Sequence, residues 1–256
     1  MISAQAMIHP QARIADGVTI EAGTIIGADV VIGEGTWIGP HVVIQGPTVI
    51  GKHNQIFQFA SVGNAPQDKT YHGEPTRLVI GDHNIIREFC MISRGTVKGG
   101  GLTQIGDHNF LMAYTHVGHD CILGNHISMV NYSALSGHVT VDDFANIGGY
   151  AAVQQFCHVG MYAFIARATY VTKDVLPYLM IAGHATSACG INTVGLRRAG
   201  FTSDAIDGLR RAYKVIFRKG LTVAQAVIEL DLMQKDCPEI SRMLIALQQS
   251  TRGIVR

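Results

Sequence analysis

Aliphatic residues recur at every sixth position through most of the chain. A period of six matches neither the 3.6-residue repeat of an α-helix nor the two-residue alternation of a strand. It fits a prism of short strands, in which one aliphatic residue per hexad points inward and three hexads complete a coil of about eighteen residues. The pattern therefore predicts a mainly β fold, a parallel β-helix with a continuous core. The repeating positions are Ile8, Ile14, Ile20, Ile26, Ile32, Ile38, Ile44, Ile50, Ile56, Val62, then Ile80, Ile86, Ile92, and then Ile105, Leu111, Val117, Leu123, Met129, Leu135, Val141, Ile147, Val153, Val159, Ile165 and Val171.

The six-residue register breaks twice, after Val62 and after Ile92. The intervening segments, about 63–79 and 93–104, contain QDKTYHGEPTR and RGTVKGGGL, which are rich in polar residues and glycine. Long ordered loops on a rigid scaffold commonly carry functional residues. We therefore expect two projecting loops that take part in a site.

The spacing becomes helical after the last hexad. Thr202 or Ser203 can cap a helix that ends before Gly220, and Thr222 can cap a second helix. Pro238 can open a third, because proline is tolerated in the first turn. The end of the chain is therefore expected to be helical.

The two patterns divide the chain into a β-helix, residues 1–190, and a small C-terminal α-helical domain, residues 191–256. Of the 256 residues, 47% are apolar and 15% are charged, which is enough to bury a sizeable core. The formal net charge of +1 provides no general basic field for nucleic acid or a membrane surface. No leader pattern and no run of about 18 apolar residues occurs, so we expect a cytoplasmic protein without membrane insertion.

The cysteines are odd in number, scattered, and free of CxxC spacing, which argues against a disulfide framework and a zinc cluster. We expect small buried thiols. The five are Cys90, Cys121, Cys157, Cys189 and Cys237.

Because the coils stack, the spacing of residues in the sequence predicts which of them are neighbours in space. Residues one coil apart lie about 4.8 Å apart, the usual distance between adjacent strands. His119, Gly137 and Gln155 then share one column, and Asp120 and His138 share the next. A histidine can act as a general base near neutral pH, an adjacent carboxylate can fix its tautomer, and a glycine N–H can bind a developing oxyanion. These residues predict a site for acyl transfer to a hydroxyl.

Two other interpretations of the histidines stay open. His116, His119 and His138 could ligate zinc across coils. We expect no metal, because no two histidines in this region are separated by four residues. Histidines at the corners of a β-helix can also be solvated turn residues. We expect this of His9, His41, His53, His83, His108, His126 and His158.

Six motifs are typical of a known family: THVGHDC, LSGHVTVDDF, IGGYAAVQQFC, GEPTR, RRAGF and STRGIVR. On these motifs the chain resembles the UDP-N-acetylglucosamine O-acyltransferases along its whole length. The resemblance implies a left-handed parallel β-helix and a homotrimer with active sites at the subunit interfaces. It also implies the first step of lipid A biosynthesis, in which an (R)-3-hydroxyacyl group passes from acyl carrier protein to the 3-hydroxyl of UDP-N-acetylglucosamine. No cofactor is expected beyond the phosphopantetheine of the carrier.

The resemblance also implies a role for each residue of the two columns. His119 would take the proton from the sugar hydroxyl, and Asp120 would orient its imidazole. Gly137 would offer its backbone N–H to the thioester oxyanion. His138 and Gln155 would line the pocket for the sugar and the pantetheine.

Four further positions match substrate contacts in the family. His116 would line the substrate pocket, and Asp68 in the first loop matches a residue that touches the acyl 3-hydroxyl. Asn192 and Arg198 match residues that hold the nucleotide phosphates, a role that suits a guanidinium fork.

Gly149 and Arg167 occupy the column that, by resemblance, sets acyl-chain length. A charged side chain in an apolar tunnel is costly unless it reaches solvent or a partner. We therefore expect either a short acyl chain or a tunnel routed past Arg167.

The chain departs from the family pattern at several positions. Thr70 stands where a lysine is usual, so that lysine is missing or displaced to Lys69. These changes keep two alternatives open: N-acylation of a 3-amino UDP-sugar, and a noncatalytic paralogue that binds a nucleotide sugar or carrier protein. The other departures are Ser93, Gln154, His184, Val194 and Ala199.

Basic residues cluster where the helical domain begins. Carrier protein is acidic, so a basic patch near the pantetheine entrance would favour docking. A solvated helix face is the alternative interpretation. The cluster contains Arg197, Arg198, Arg210, Arg211, Lys214, Arg218 and Lys219.

Overall fold

The computed structural model of the chain describes residues 1–183 and 186–256. Three sheets of short strands run along the β-helix, and each coil contributes one strand to each sheet. Every hexad supplies one strand, and the chain turns a corner before the next. This architecture confirms the predicted mainly β fold with parallel sheets.

The strands are numbered along the chain. Sheet I contains β1 (Met7–Ile8), β4 (Ile25–Ile26), β7 (Val43–Ile44), β10 (Ser61–Asn64), β13 (Met91–Ser93), β16 (His116–Val117), β19 (Ala134–Leu135), β22 (Ala152–Val153) and β25 (Tyr170–Val171). Sheet II contains β2 (Arg13–Ile14), β5 (Val30–Ile32), β8 (Thr48–Ile50), β11 (Arg77–Ile80), β14 (Leu102–Ile105), β17 (Ile122–Leu123), β20 (Thr140–Val141) and β23 (His158–Val159). Sheet III contains β3 (Thr19–Ile20), β6 (Trp37–Ile38), β9 (Gln55–Ile56), β12 (Ile85–Ile86), β15 (Phe110–Leu111), β18 (Ser128–Met129), β21 (Asn146–Ile147), β24 (Phe164–Ile165), β26 (Leu179–Ala182) and β27 (Ser187–Ile191).

The repeating aliphatic residue of each hexad points into the prism. From Ile20 to Val171, every residue of the six-residue register is at most 1% exposed. Burial of one such side chain stabilises the fold by about 1.5–3 kcal/mol. Ile8 and Ile14 are only half-buried, because the first coil has a neighbour on one side alone. Four cysteines are buried as expected, but Cys189 is exposed, on the antiparallel strand β27 outside the prism.

Non-glycine residues with positive φ turn many corners, as at His108 (56°) and Tyr132 (62°). Their rings stack from coil to coil, and this contact offsets the cost of the left-handed conformation. Between sheets II and III the stacked column is His53, His83, His108, His126, Phe144 and Tyr162, with ring centroids 4.7–5.1 Å apart. The exposed corner position predicted for these histidines is confirmed, but His126 also lines a cavity of about 850 Å³.

The two projecting loops are shorter than the register predicted. Strand β11 already begins at Arg77 and β14 at Leu102, because these strands pair over four residues beside the loops. Loop 1 is therefore residues 65–76 and loop 2 residues 94–101. Both leave the corner between sheets I and II.

Four helices follow the prism: α1 (Thr193–Arg198), α2 (Ser203–Phe217), α3 (Val223–Met233) and α4 (Ile240–Gln249). Thr202 caps α2, and Thr222 caps α3 through a capping box with Gln225, as the sequence predicted. Helix α4 begins two residues after Pro238. The sequence patterns did not predict α1 or the antiparallel pairing of β26 with β27.

The end of the chain returns to the β-helix. The backbone N–H of Val255 donates to the carbonyl of Asp174, and the N–H of Asp174 donates to the carbonyl of Gly253. Ser250 Oγ donates to Asp174 Oδ2 at 2.7 Å. These bonds tie the helical domain to the prism. Among the described residues, no helix combines the length and apolarity needed to cross a membrane.

Candidate active site

His119 and Asp120 form a hydrogen-bonded pair at the corner that follows β16. His119 Nδ1 lies 2.8 Å from Asp120 Oδ2. Asp120 turns the corner at a φ of 61° and is only 6% exposed. The pairing predicted from adjacent positions is therefore present.

Loop 2 surrounds the Asp120 carboxylate. The backbone N–H of Thr96 donates to Oδ1 at 2.7 Å, and the Thr96 hydroxyl donates to Oδ2 at 2.6 Å. The N–H of Asp120 donates to Thr103 Oγ1 at 2.8 Å. Because the Asp120 oxygens act as acceptors for both Thr96 groups, we assign His119 Nδ1 as a further donor to Asp120, which leaves the lone pair on Nε2. Sequence reasoning missed Thr96 because loop 2 interrupts the six-residue register, and it missed Thr103 although this residue lies in the regular register one coil before Asp120.

His138 lies one coil above this pair. Its backbone N–H donates to the carbonyl of His119 at 2.9 Å, and its Nε2 lies 3.7 Å from Asp120 Oδ2. Its ring meets the His119 ring edge-on and stacks on Phe156 with centroids 4.4 Å apart. Burial lowers the pKa of His138, against the opposing attraction of Asp120. The pKa of His116 is lowered too, mainly by burial and then by repulsion from His119.

Gly137 packs directly against the His119 imidazole. A Cβ atom at this position would lie 2.4 Å from Cε1 and 2.7 Å from Nε2 of His119. Glycine is therefore required for the ring to lie over the backbone. Within the described part of the chain, the buried Gly137 N–H has no hydrogen-bond acceptor. Orphaned buried N–H groups are rare, and this one is available to a ligand.

A cavity of about 160 Å³ opens beside these groups. It brings together His116, His119, Gly137 and Gln155, as the sequence predicted, whereas His138, which was also predicted to line the pocket, does not line this cavity. Sequence reasoning missed Gln67 and Ser136 as lining residues and treated Ser93 only as a departure from a motif. The full lining is Gln67, Ser93, His116, Gly118, His119, Ser136, Gly137 and Gln155.

Asp68 lies in loop 1 at the edge of this site. Its Oδ1 accepts from the backbone N–H and the hydroxyl of Thr70, at 2.8 and 2.9 Å. These two bonds lower the pKa of Asp68, with smaller contributions from the charges of Lys98 and His119. The carboxylate is thus ionised near the base, although it does not line the cavity.

Asn192 and Arg198 lie at a different corner, between sheets II and III. Asn192 caps α1: its Oδ1 accepts from Gly195 at 3.1 Å, and its Nδ2 donates to the Tyr162 carbonyl at 3.0 Å. Both residues line a larger cavity of about 850 Å³, together with Val194 and Ala199. Sheet II separates this cavity from His119, so a single chain does not bring the two predicted groups together.

Gly149 and Arg167 are column neighbours, as predicted from their spacing. The N–H of Ala168 donates to the Gly149 carbonyl at 2.9 Å. Gly149 is buried, whereas Arg167 is exposed and reaches solvent in the single chain. His184, one of the departures from the family pattern, lies outside the described residues.

His158 is not the solvated corner residue that was expected. It lies on β23, where its Nε2 is 2.8 Å from Asp142 Oδ1 and its N–H donates to Asp174. The bond to Asp142 raises the pKa of His158. The outward position of this strand residue, beside an acidic neighbour one coil away, explains the difference.

The side chains of His119, Asp120 and His138 are close enough to hold an ion, with ligand atoms within 4.8 Å of one another. This group contains Asp120 in place of the His116 considered from the sequence. The 2.8 Å contact between His119 and Asp120 is a normal hydrogen bond that holds a proton. The expectation of a metal-free site stays a prediction.

Stacked hexads with an imidazole–carboxylate pair over a free backbone N–H define a hexapeptide-repeat acyltransferase. The family model for bacterial transferase hexapeptide repeats matches residues 29–56, and the model for UDP-N-acetylglucosamine O-acyltransferase, domain 2, matches residues 174–255. An acyl-[acyl-carrier-protein]–UDP-N-acetylglucosamine O-acyltransferase of Pseudomonas entomophila is 50% identical over all of this chain and 99% of the relative. The same enzyme of Pseudomonas fluorescens is 51% identical, with the same coverage.

The solved UDP-N-acetylglucosamine acyltransferase of Francisella novicida is 45% identical, with a TM-score of 0.98 over all of this chain and 94% of that one. The chain therefore belongs to the UDP-N-acetylglucosamine O-acyltransferase family.

Proposed function

We propose that the chain transfers an (R)-3-hydroxyacyl group from acyl carrier protein to the 3-hydroxyl of UDP-N-acetylglucosamine, the first step of lipid A biosynthesis. The observation that carries this proposal is the His119–Asp120 pair beside the Gly137 N–H, for which the described residues provide no acceptor. A base and an oxyanion donor side by side serve the attack of a hydroxyl on a thioester. Membership of the family supplies the substrates.

The reaction follows from these groups. His119 Nε2 takes the proton of the sugar hydroxyl as its oxygen bonds to the thioester carbonyl carbon. The carbonyl oxygen becomes an oxyanion and accepts from the Gly137 N–H. When the tetrahedral intermediate collapses, the carbon–sulfur bond breaks and the imidazolium returns its proton to the leaving thiolate. Asp120 stabilises the imidazolium between these steps.

His116 and His138 have a different role. Burial lowers the pKa of both, which keeps them neutral near pH 7. We therefore assign proton transfer to His119 and substrate contact to the other two, with Gln155 beside them. No metal or further cofactor takes part, since the phosphopantetheine arrives on the carrier protein.

A homotrimer would complete the site. Asn192 and Arg198 are suited to the nucleotide phosphates, but they lie across sheet II from the His119 of their own chain. An adjacent subunit can bring its corner between sheets II and III to the corner between sheets I and II. Sedimentation at working concentration should give three times the mass of one chain, and a monomer with full activity would contradict this assignment.

Arg167 supports a limit on acyl length. Its charge keeps its side chain in solvent beside Gly149, so a long apolar chain cannot run straight along this column without displacing it. We propose a preference for short acyl chains, to be checked with carrier proteins loaded with chains of graded length. A clear preference for long chains would instead favour a path around Arg167.

The basic residues of the helical domain are suited to an acidic carrier. All seven are exposed, while Arg210 and Lys219 already pair with Asp207 and Glu229. Arg197, Arg211 and Lys214 therefore provide the less neutralised surface among the described residues. We propose that the carrier protein docks there, in the cytoplasm where it and the nucleotide sugar would be supplied.

The test is transfer from 3-hydroxyacyl carrier protein to UDP-N-acetylglucosamine, with the product identified by mass. Loss of the base in His119→Ala should lower kcat by about 10²–10⁴-fold. His9→Ala, which removes an exposed histidine of the first coil, is the matched control and should keep the wild-type rate. Turnover only with a 3-amino sugar would identify an N-acyltransferase, and failure with both acceptors would favour a binding paralogue.

A further inference from the structure

Lys98 connects the two loops at the edge of the site. Its Nζ donates to Thr70 Oγ1 at 2.9 Å, and the same hydroxyl donates to Asp68 Oδ1 at 2.9 Å. The backbone N–H of Thr70 also donates to that oxygen, at 2.8 Å. A chain of hydrogen bonds therefore runs from loop 2 to the carboxylate of loop 1.

The backbone around Lys98 packs against the carboxylate of Asp120. Lys98 lies in the turn Val97–Gly99, which Thr96 caps while it also holds Asp120. A Cβ atom on Gly99 would lie 2.0 Å from Asp120 Cγ, so this turn lies directly against that side chain. The position of the lysine is thus set relative to the base itself.

The charge of Lys98 has no carboxylate partner nearby. Among the residues that the structure describes, no carboxylate oxygen lies within 4.0 Å of its Nζ. The charged groups that act on Asp68 are Lys98, His119, His138 and Glu74. The two hydrogen bonds from Thr70 lower the pKa of Asp68 most, and the charges of Lys98 and His119 lower it further, so Asp68 stays a hydrogen-bond acceptor.

Lys69 does not replace the lysine that the family usually has at the position of Thr70. The sequence suggested that a lysine lost at Thr70 could be displaced to Lys69, its neighbour in loop 1. Lys69 is exposed, and the described residues make no hydrogen bond or ion pair with it. The structure instead brings an ammonium to Thr70 from loop 2, through Lys98.

We infer that Lys98 is a positioning residue for acyl specificity: through Thr70 it holds Asp68 as the acceptor that selects a hydroxyl on the acyl chain. The inference rests on the proposed function. A carboxylate that is held in place and partly desolvated binds a hydroxylated chain and rejects one that leaves it without a donor. Without Lys98, Thr70 and Asp68 are tethered within loop 1 alone, and Asp68 loses a stabilising charge.

The experiment compares two donors, carrier protein loaded with a 3-hydroxyacyl chain and with the same chain lacking the hydroxyl, with UDP-N-acetylglucosamine as acceptor. Wild type should prefer the hydroxylated donor in kcat/KM by about 10–100-fold, the value of a hydrogen bond to a charged group. Lys98→Ala should lose most of this preference through a lower kcat/KM for the hydroxylated donor. Lys98→Arg should restore part of it, and Lys69→Ala, the matched control, should keep all of it.

A double-variant comparison separates positioning from a general structural role. Thr70→Val should also reduce the preference, and the double variant should lose less than the sum of the two, as expected for residues in one network.

The outcomes are distinct. A Lys98→Ala variant that keeps the wild-type preference, or that loses both donors equally, overturns the inference and leaves the proposed function intact. Wild type that makes no product with either donor overturns the proposed function, and the inference with it.

Discussion

Two corners of the same β-helix differ in whether a backbone N–H at the turn has a hydrogen-bond acceptor. Between sheets II and III, the N–H of Asp107 donates to Asn125 Oδ1 and the N–H of Asn125 donates to Asp143 Oδ1, both at 2.7 Å. Between sheets I and II, the equivalent N–H of Gly137 has no such acceptor among the described residues, and the nearby carboxylate of Asp120 binds His119 and loop 2 instead. One corner satisfies its polar groups and stabilises the stack, whereas the other leaves a donor for substrate.

Apart from removal of the base, the largest effect should come from adding a side chain at Gly137, the proposed oxyanion donor. Gly137→Ala puts a Cβ where the His119 ring lies, 2.4 Å from Cε1, and must displace the imidazole. We expect kcat to fall by about 10²–10³-fold, the usual result of losing one oxyanion donor or its alignment. Steady-state kinetics beside a thermal melt would check this. A variant that folds normally and keeps its kcat would show that the free N–H is not used.

A smaller effect is expected from neutralising the carboxylate of the active corner. Asp120→Asn keeps the size of the side chain but weakens its bonds to His119 Nδ1 and to Thr96. Because a hydrogen bond to a charged group contributes about 1.5–3 kcal/mol, kcat should fall by roughly 10–100-fold. KM should change little. Unaltered kcat would mean that His119 keeps its orientation without Asp120.

The stabilising corner should respond in stability alone. Asp143→Ala removes the acceptor of the Asn125 N–H, and we expect the free energy of unfolding to fall by about 0.5–1.5 kcal/mol. Transfer activity should stay at the wild-type level, since Asp143 lines neither the cavity beside His119 nor the cavity that contains Arg198. Urea denaturation and the acyl-transfer assay on the same preparation test both statements. A loss of kcat with unchanged stability would contradict the prediction that this corner contributes to stability alone.

The smallest effect concerns a second imidazole–carboxylate pair, formed by His158 and Asp142. The pKa of His158 is raised, so the pair stabilises the fold fully below the unfolded pKa of about 6.5 and loses this contribution as pH rises through the folded value. Both side chains are more than a third exposed, which limits the contribution to below about 1 kcal/mol.

Asp142→Asn should therefore lower the free energy of unfolding near pH 5 and have less effect near pH 9. Denaturation at both pH values measures this difference. An equal effect at the two values would show that the charge of His158 does not matter, and catalysis should be unaffected in either case.

Several features of the site were predictable because one period governs the whole prism. His119, Gly137 and Gln155 lie on one cavity since residues a coil apart stack, and the same arithmetic placed Arg167 over Gly149. The arithmetic fails where loops interrupt the coils. Thr96 and Lys98 lie in loop 2, and no fixed spacing relates them to Asp120 or Asp68.

In the helical domain too, local features were predicted from the sequence and long-range contacts were not. Thr202 and Thr222 cap α2 and α3 because capping is a local interaction between a side chain and the next turn. The hairpin of β26 and β27 and the return of Val255 to Asp174 depend on contacts between distant residues, so local patterns gave no signal for them.

By itself, the sequence determined the repeating core and the columns along each corner, since both depend on short-range spacing, and its resemblance to the family indicated His119 as the candidate base. The tertiary structure decided which groups are satisfied and which are left free: the orphaned N–H of Gly137, the loop 2 shell around Asp120, and the separation of Arg198 from its own chain's His119. Hydrogen-bond partners are assigned in three dimensions, and a residue's place in the chain does not reveal them once loops of irregular length intervene.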